Sequence, residues 1–434
     1  MIAPEFPASL ANGHPTAPAE QADRGSDTVG FRLVMLYLLL EFGRPQDLLP
    51  ALGVLRPSAV AAALLAATLL YSGRLTSVLP RTRPFQLLLV LMVLHIPIAV
   101  NNHWAFWSTF AMMQTFVVCL GILAFVNTRE KQRSAALIWV GIHAILAFHA
   151  NLHSGQGVGG FLGDENDVAL TLDAIVPIAT FLAISRQTST RQRLLLTAML
   201  VFVIAAIPRT MSRGGLLGLL AVSLYCALRS PRKVLALVIL VVFGMLVVVC
   251  APDGYWKKME TILWRGEGDD TGAGRLYEWK VGWKMFLANP ILGVGPGNFP
   301  FRFAEYEGDM RWFDRSIAGR AAHSLYFTLL PELGILGLAI VSTMVARASR
   351  GLALVRRRDR RDAISPTEPD RFFTWLSFGF EGSLLGFLVA SVFVSTLYYP
   401  NLWVLLAFMD ALKQTVLEEL DTVSLGAAGP RPAR

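Results

Sequence analysis

Charge is scarce in this 434-residue chain. Only 16% of its residues are Asp, Glu, Lys or Arg, where a soluble domain carries roughly a quarter. Cysteine is scarcer still. Cys119, Cys226 and Cys250 all fall in or beside apolar stretches, which excludes a disulfide framework or a zinc site and leaves them as small core residues. No Walker motif, zinc spacing or dinucleotide fingerprint occurs, so coupling to nucleotide hydrolysis is not expected. The first 27 residues have no apolar core and hence no secretory signal. Their Ala, Pro, Gly and polar content reads as a disordered cytoplasmic tail, and the last dozen residues look similar. No internal repeat is visible.

What the chain has instead is apolar sequence, 54% of the total, gathered into runs about 17 to 25 residues long, the length a helix needs to cross hydrocarbon. The runs are continuous rather than alternating. Lipid offers no partners to backbone polar groups, so helices rather than strands are expected. Twelve candidate spans fall at 29–43, 57–72, 85–101, 104–126, 134–150, 166–185, 193–208, 214–229, 233–251, 324–346, 372–396 and 400–416. The expected fold is all-α: a polytopic transmembrane helix bundle of about 12 spans with one large, partly helical periplasmic loop. Its expected parts are a cytoplasmic tail (1–28), spans one to nine (29–251), the loop (252–322), spans ten to twelve (323–418) and a second cytoplasmic tail (419–434).

The net charge of +8 does not point to nucleic acid, because the basic residues flank the apolar runs. With the N-terminus inside, the inner loops carry Arg74, Arg81 and Arg83; Arg129, Lys131 and Arg133; Arg186, Arg191 and Arg193; Arg229, Arg232 and Lys233; and Arg356, Arg357, Arg358, Arg360 and Arg361. The short outer loops carry only Arg44, Arg56, Arg209 and Arg213. This asymmetry follows the positive-inside rule at each connection, and a missed span would break it.

Two outer segments are longer. One, near 151–165, is rich in glycine from Gly155 to Gly163. The other, 252–322, is too long for a turn and too polar for a span. Within it Leu276, Trp279, Trp283 and Phe286 recur at helical spacing. That stripe suits a helix lying in the membrane interface or one packed on the spans beneath.

Several outer residues are candidates for chemistry. In Met211-Ser212-Arg213-Gly214-Gly215, Ser212 can cap a helix and the glycines permit close backbone approach. Arg213 then sits where a helix N-terminus favours an anion, or simply snorkels to the interface. Arg275, after Gly274, is expected near another helix start. The Gly293-Val294-Gly295-Pro296-Gly297-Asn298 run reads as a shaped turn, because no lysine follows as in a phosphate loop. His323, in Ala322-His323-Ser324-Leu325-Tyr326, falls where the loop re-enters the membrane and titrates in the range of a general base. Two arginines and a histidine at one boundary suit a site that holds a diphosphate and takes a proton from a hydroxyl. Gly163-Asp164-Glu165-Asn166-Asp167 reads as a helix cap or, alternatively, a metal site. Asp173 lies deep in a span, where an acid is costly and a functional candidate by default, with Arg44 as its expected partner. His95, His143 and His149 read as satisfied within the bundle, while Glu41, Glu381 and Asp410 have no assignment.

At these residues the chain resembles the O-antigen ligase/polymerase family of bacterial envelope glycan assembly. The resemblance rests on Ser212-Arg213-Gly214-Gly215, on Gly274-Arg275 with Trp279 and Trp283, on the run from Asn289-Pro290 through Gly293 to Asn298-Phe299, and on His323 with Glu332-Leu333-Gly334. It covers residues 160–345 by motif and the remainder by topology. Ser324 departs from the pattern, since members often carry asparagine after the histidine. The Arg44-Pro45-Gln46 turn looks like relatives linked to exopolysaccharide clusters. The resemblance implies a metal-independent glycosyltransferase with no cofactor, acting on the periplasmic side of the inner membrane. Its donor would be a glycan on undecaprenyl diphosphate, held by Arg213 and Arg275, with His323 orienting or deprotonating the acceptor hydroxyl. Ser212, Gly214, Asn298, Ser324, Tyr326 and Asp173 would support the site. The acceptor would be lipid A core, another glycan, or a protein serine or threonine. A lipid-linked glycan flippase or transporter is the rival reading, disfavoured by the lack of repeated halves and by charges at the boundary rather than mid-membrane.

Overall fold

A computed structural model describes residues 17–250, 270–308, 319–362 and 371–427. Most of the predicted N-terminal tail, the end of the C-terminal one, the loop stretches 251–269 and 309–318, and the side chains of Cys250, Arg360 and Arg361 lie outside the described residues.

Among the described residues the chain is helical throughout, apart from one isolated bridge between Gly159 and Leu162 in the glycine-rich outer segment. The principal helices are α1 (Ala17–Phe42), α2 (Pro57–Tyr71), α3 (Arg83–His95), α4 (Asn102–Phe125), α5 (Arg129–Leu152), α6 (Glu165–Ile184), α7 (Thr190–Arg209), α8 (Arg213–Arg229), α9 (Lys233–Cys250), α10 (Asp270–Ala288), α11 (Phe299–Glu307), α12 (Leu325–Asp362), α13 (Phe372–Ala390) and α14 (Pro400–Ala427). Every predicted span overlaps one of these helices, though not always over its full length. Eight stretches, taking in α2 to α7, α12 and α13, are long and apolar enough to cross a membrane.

Side-chain caps set several helix starts. Asn101, Thr128, Asp164, Ser189 and Ser212 each accept a hydrogen bond from a first-turn amide, and Ser189 forms a full capping box with Gln192. Some boundaries differ from expectation. The third helix stops at His95: Ile96 keeps helical angles, but Pro97 has no N–H to continue the hydrogen-bond ladder, so residues 96–101 are turns and bends rather than span. Helix α1 begins twelve residues or so before the predicted span, inside the predicted tail. Asp27 anchors this extension by ion pairs to Arg74 (2.7 Å) and Lys131.

The core is built on α6, which packs most extensively against α13 and also against α7 and α8. Small residues let these helices approach. A Cβ at Gly379 would stand 3.1 Å from the Ile178 backbone, one at Gly382 2.7 Å from Pro177, and one at Gly386 2.3 Å from Val222. In lipid, where no hydrophobic force separates helix from solvent, such close packing drives association.

Helix α12 is broken, and the break positions the outer loop. Gly334 lies at φ 62°, ψ −163°, a conformation open to glycine alone. The backbone groups freed there bond to the turn after α10. Val294 N–H donates to Pro331 O at 2.9 Å, Gly295 N–H to Glu332 O at 2.9 Å, and Ile335 N–H to Pro290 O at 2.9 Å. The Glu332 carboxylate accepts from Gly297 N–H at 2.8 Å, from Phe299 N–H at 2.9 Å and from the Tyr398 hydroxyl. Thus the Gly/Pro run and the Glu332-Leu333-Gly334 segment are two halves of one clamp. A Cβ at Gly334 would lie 2.3 Å from Ile291 O. Gly334→Ala is therefore expected to cost about 3 kcal/mol, seen as a fall of several degrees in the apparent melting temperature of the detergent-solubilised protein. An unchanged melting curve would show that the break carries no such constraint.

Candidate functional site

Three segments converge at one end of the bundle. The first is the start of α8. Ser212 is buried, its hydroxyl accepts from Gly215 N–H at 3.1 Å and donates to Asn166 Oδ1 at 2.7 Å. Asn166 in turn bonds Asp164, the cap of α6, through both its backbone and side-chain nitrogens at 2.7 and 2.8 Å. Two helix N-termini are thereby tied side by side. Gly215 lets α8 close on Ala169, and Gly214 closes on Phe393, where a Cβ would sit 3.1 Å away. Arg213, half-buried, is the first residue of α8 at this junction.

The second segment is α10. Trp279 stacks on Phe327 with ring centroids 5.1 Å apart, lies 6.3 Å from Phe393, and donates its indole N–H to Ala322 O at 3.0 Å. Phe393 therefore touches both the Arg213 junction and α10. Arg275 lies one turn before Trp279. Contrary to expectation it is well inside the helix, which begins by Asp270, and so is not at a helix terminus. The predicted apolar stripe also divides differently. Tyr277, Glu278, Val281 and Met285 form the buried face, packed with Phe299, Phe303 and Ala322, while Leu276 and Trp283 are exposed.

The third segment is the entry to α12. His323 has φ 45°, an uncommon left-handed conformation between buried Ala322 and fully buried Ser324. Ser324 is held from behind: its N–H donates to Ser395 Oγ at 3.3 Å, and its carbonyl accepts from Thr328 Oγ1 at 2.7 Å. The histidine side chain is left at the surface. Packing around the ring lowers its pKa, Arg275 and Arg320 lower it further, and Asp164 opposes them. His323 is thus neutral at pH 7, the form that can accept a proton.

The structure brings Arg275 and His323 within electrostatic reach and sets Arg213 at the same end through the Phe393 contact. It also adds two residues that sequence reasoning missed. Arg320 acts on both His323 and Glu278. Glu278 is 2% exposed, and its Oε2 finds no hydrogen-bond partner among the described residues. Burial pushes its carboxyl up to about 7, with Arg320 and Arg275 pulling the other way. The only clue in the sequence was its position three residues after Arg275, on the same helix face.

Other predicted supporting residues have structural partners. Asn298 is fully buried, accepting from Asn101 N–H at 2.8 Å and donating to Pro296 O at 3.0 Å, so it pins the turn to the start of α4. The Tyr326 hydroxyl donates to Leu388 O at 2.9 Å, linking α12 to α13. Asp173 is fully buried against Gly218, and neither of its oxygens has a partner among the described residues. Arg44 is not its partner. That side chain, largely buried in the turn after α1, pairs with Asp47 and lies over the Phe161 ring at 5.8 Å. Asp164 is a helix cap, and no group of three or more His, Cys, Asp or Glu side chains suited to a metal occurs among the described residues.

Residues 198–342 match the family model of O-antigen ligase. The match spans Arg213, Arg275, Glu278, Arg320 and His323 and covers 145 of the 434 residues, so this third of the chain is similar to O-antigen ligases. No curated protein matches the chain.

Proposed function

We propose that this chain transfers a glycan from undecaprenyl diphosphate to an acceptor hydroxyl at the periplasmic face of the bacterial inner membrane, without a metal. The observation that carries the reading is the electrostatic coupling of neutral His323 to Arg275, on a helix locked beside it by the Trp279–Ala322 bond. The acceptor oxygen attacks the anomeric carbon, the bond from that carbon to the diphosphate oxygen breaks, and the hydroxyl proton passes to His323. Arg213 and Arg275, with Arg320 beside them, offset the charge that builds on the departing diphosphate. In this reading about a dozen crossings form the scaffold, the loop between α9 and α12 is periplasmic, both tails are cytoplasmic, and the lipid chain lies between helices. The distribution of arginine and lysine among the connections supports that orientation. Lipid A core, a glycan repeat or a protein hydroxyl all suit the same donor site.

Purified protein in liposomes, given a lipid-diphosphate glycan and candidate acceptors, is expected to release undecaprenyl diphosphate and form product. Movement of intact donor across the bilayer with no release would establish a transporter instead.

Glu278 makes a separate prediction. When ionised it competes with a diphosphate for Arg275 and Arg320; when protonated it no longer competes. The carboxyl titrates at about 7. Donor affinity should therefore strengthen as pH falls from 8 to 6, by roughly three- to tenfold, for a diphosphate diester whose own charge is constant. Glu278→Gln should bind at all pH values as the wild type does at low pH. The other titrating neighbour of these arginines, His323, gains charge only below the ordinary histidine range. An unaltered pH profile in Glu278→Gln would remove Glu278 from the site.

A further inference from the structure

A second charged cleft lies at the end of the bundle opposite His323. Arg347 lies 13 residues beyond the Gly334 break in α12, roughly 20 Å at the helical rise, on the far side of that break from His323. There α3, α4, α12 and α14 enclose a cavity of about 70 Å³. Its floor is closed and apolar: Phe85 and Trp403 are buried with ring centroids 5.1 Å apart, and Cys119 beside them donates to Trp403 O. Its mouth is basic. Arg347 makes one long bond, 3.4 Å, to the Arg81 carbonyl. Arg81 meets Glu418 only at 4.0 Å, with both side chains substantially exposed, so water screens that pair. The acid at the rim, Asp410, is engaged by Lys413 at 3.5 Å. Two guanidiniums therefore retain donors aimed at the mouth. Beyond it α3 packs against α12, and Leu87, Val90 and Leu94 of α3 and Ile335 and Leu336 of α12 are all exposed.

We infer that this cleft binds an anionic phospholipid, its phosphodiester between Arg81 and Arg347 and one acyl chain along the seam between α3 and α12. The charge complementarity selects this occupant. A guanidinium pair at one headgroup level, continuous with exposed aliphatic surface below it, matches a lipid in both polarity and length. The inference does not depend on the reaction at His323.

Native mass spectrometry of the full chain in neutral detergent tests it. Phosphatidylglycerol and phosphatidylcholine with the same acyl chains are offered together, with inorganic phosphate in a second arm. The wild type is expected to retain phosphatidylglycerol over phosphatidylcholine by about thirtyfold, from two arginines near one headgroup. The double substitution Arg81→Gln, Arg347→Gln should bring that preference within about threefold. Ala407→Phe, which fills the buried wall and leaves both arginines in place, should reduce retention as well. Millimolar phosphate should displace nothing. Equal retention of the two lipids by the wild type, a preference that survives the double substitution, or displacement by phosphate alone would each overturn the assignment.

Discussion

His323→Ala is expected to lower glycan transfer by about 10²- to 10⁴-fold, the usual share of a general base, while the protein still folds and inserts. The ring touches little that the fold depends on. The backbone at this point is secured by its neighbours, through Ser324 N–H on Ser395 and Ala322 O on Trp279. The φ of 45° adds a constraint, because alanine tolerates that region less well than asparagine does. His323→Asn is therefore the cleaner variant, keeping the backbone while removing the base. Transfer should be assayed as product formed per folded molecule, with expression checked in the same sample. Normal output from either well-expressed variant would end the proposed role. In the wild type, activity should hold through neutral pH and fall on acidification through a pKa below the ordinary histidine value, since burial and Arg275 both disfavour the charged ring.

Arg213→Lys and Arg275→Lys should each lose roughly 10- to 100-fold in kcat/KM, although charge is conserved, because an ammonium cannot make the forked contact with phosphate oxygens. The two losses should differ in kind. Arg275 also acts on His323, so Arg275→Gln should shift the acid limb of the pH profile upward: removing a cation raises the histidine pKa. Arg213 lies on a separate element, at the start of α8, so Arg213→Gln should weaken transfer with a smaller movement of that limb. Wild-type rates for both lysine variants would remove the diphosphate clamp. An unshifted acid limb in Arg275→Gln would separate Arg275 from His323.

Much of the scaffold was legible in the sequence. The twelve apolar runs overlap helices because a run long enough for hydrocarbon is also long enough to satisfy its own backbone, whatever its neighbours. Ser212 and Asp164 were readable as caps for the same local reason. The pairing of Arg275 with His323 was legible only as a shared boundary, since 47 intervening residues, partly outside the described structure, say nothing about reach. The apolar stripe of α10 misled, because periodicity reports that a helix has an apolar face and not which face is covered. Here Glu278 takes a buried place and Trp283 stays outside. Arg44 and Asp173 were paired on charge alone, and the turn after α1 keeps them apart.

The sequence by itself therefore determined what depends on local physics: where the helices fall, the caps at Ser212 and Asp164, and the separation of basic from apolar segments. Only the tertiary structure decided that the Gly/Pro turn and Glu332-Leu333-Gly334 form one clamp, that Phe393 joins the Arg213 junction to Trp279, and that Glu278 and Arg320 belong beside Arg275 and His323. These are contacts between segments far apart in the chain. Each is specified by the shape left when the helices have packed, and no single segment contains that information.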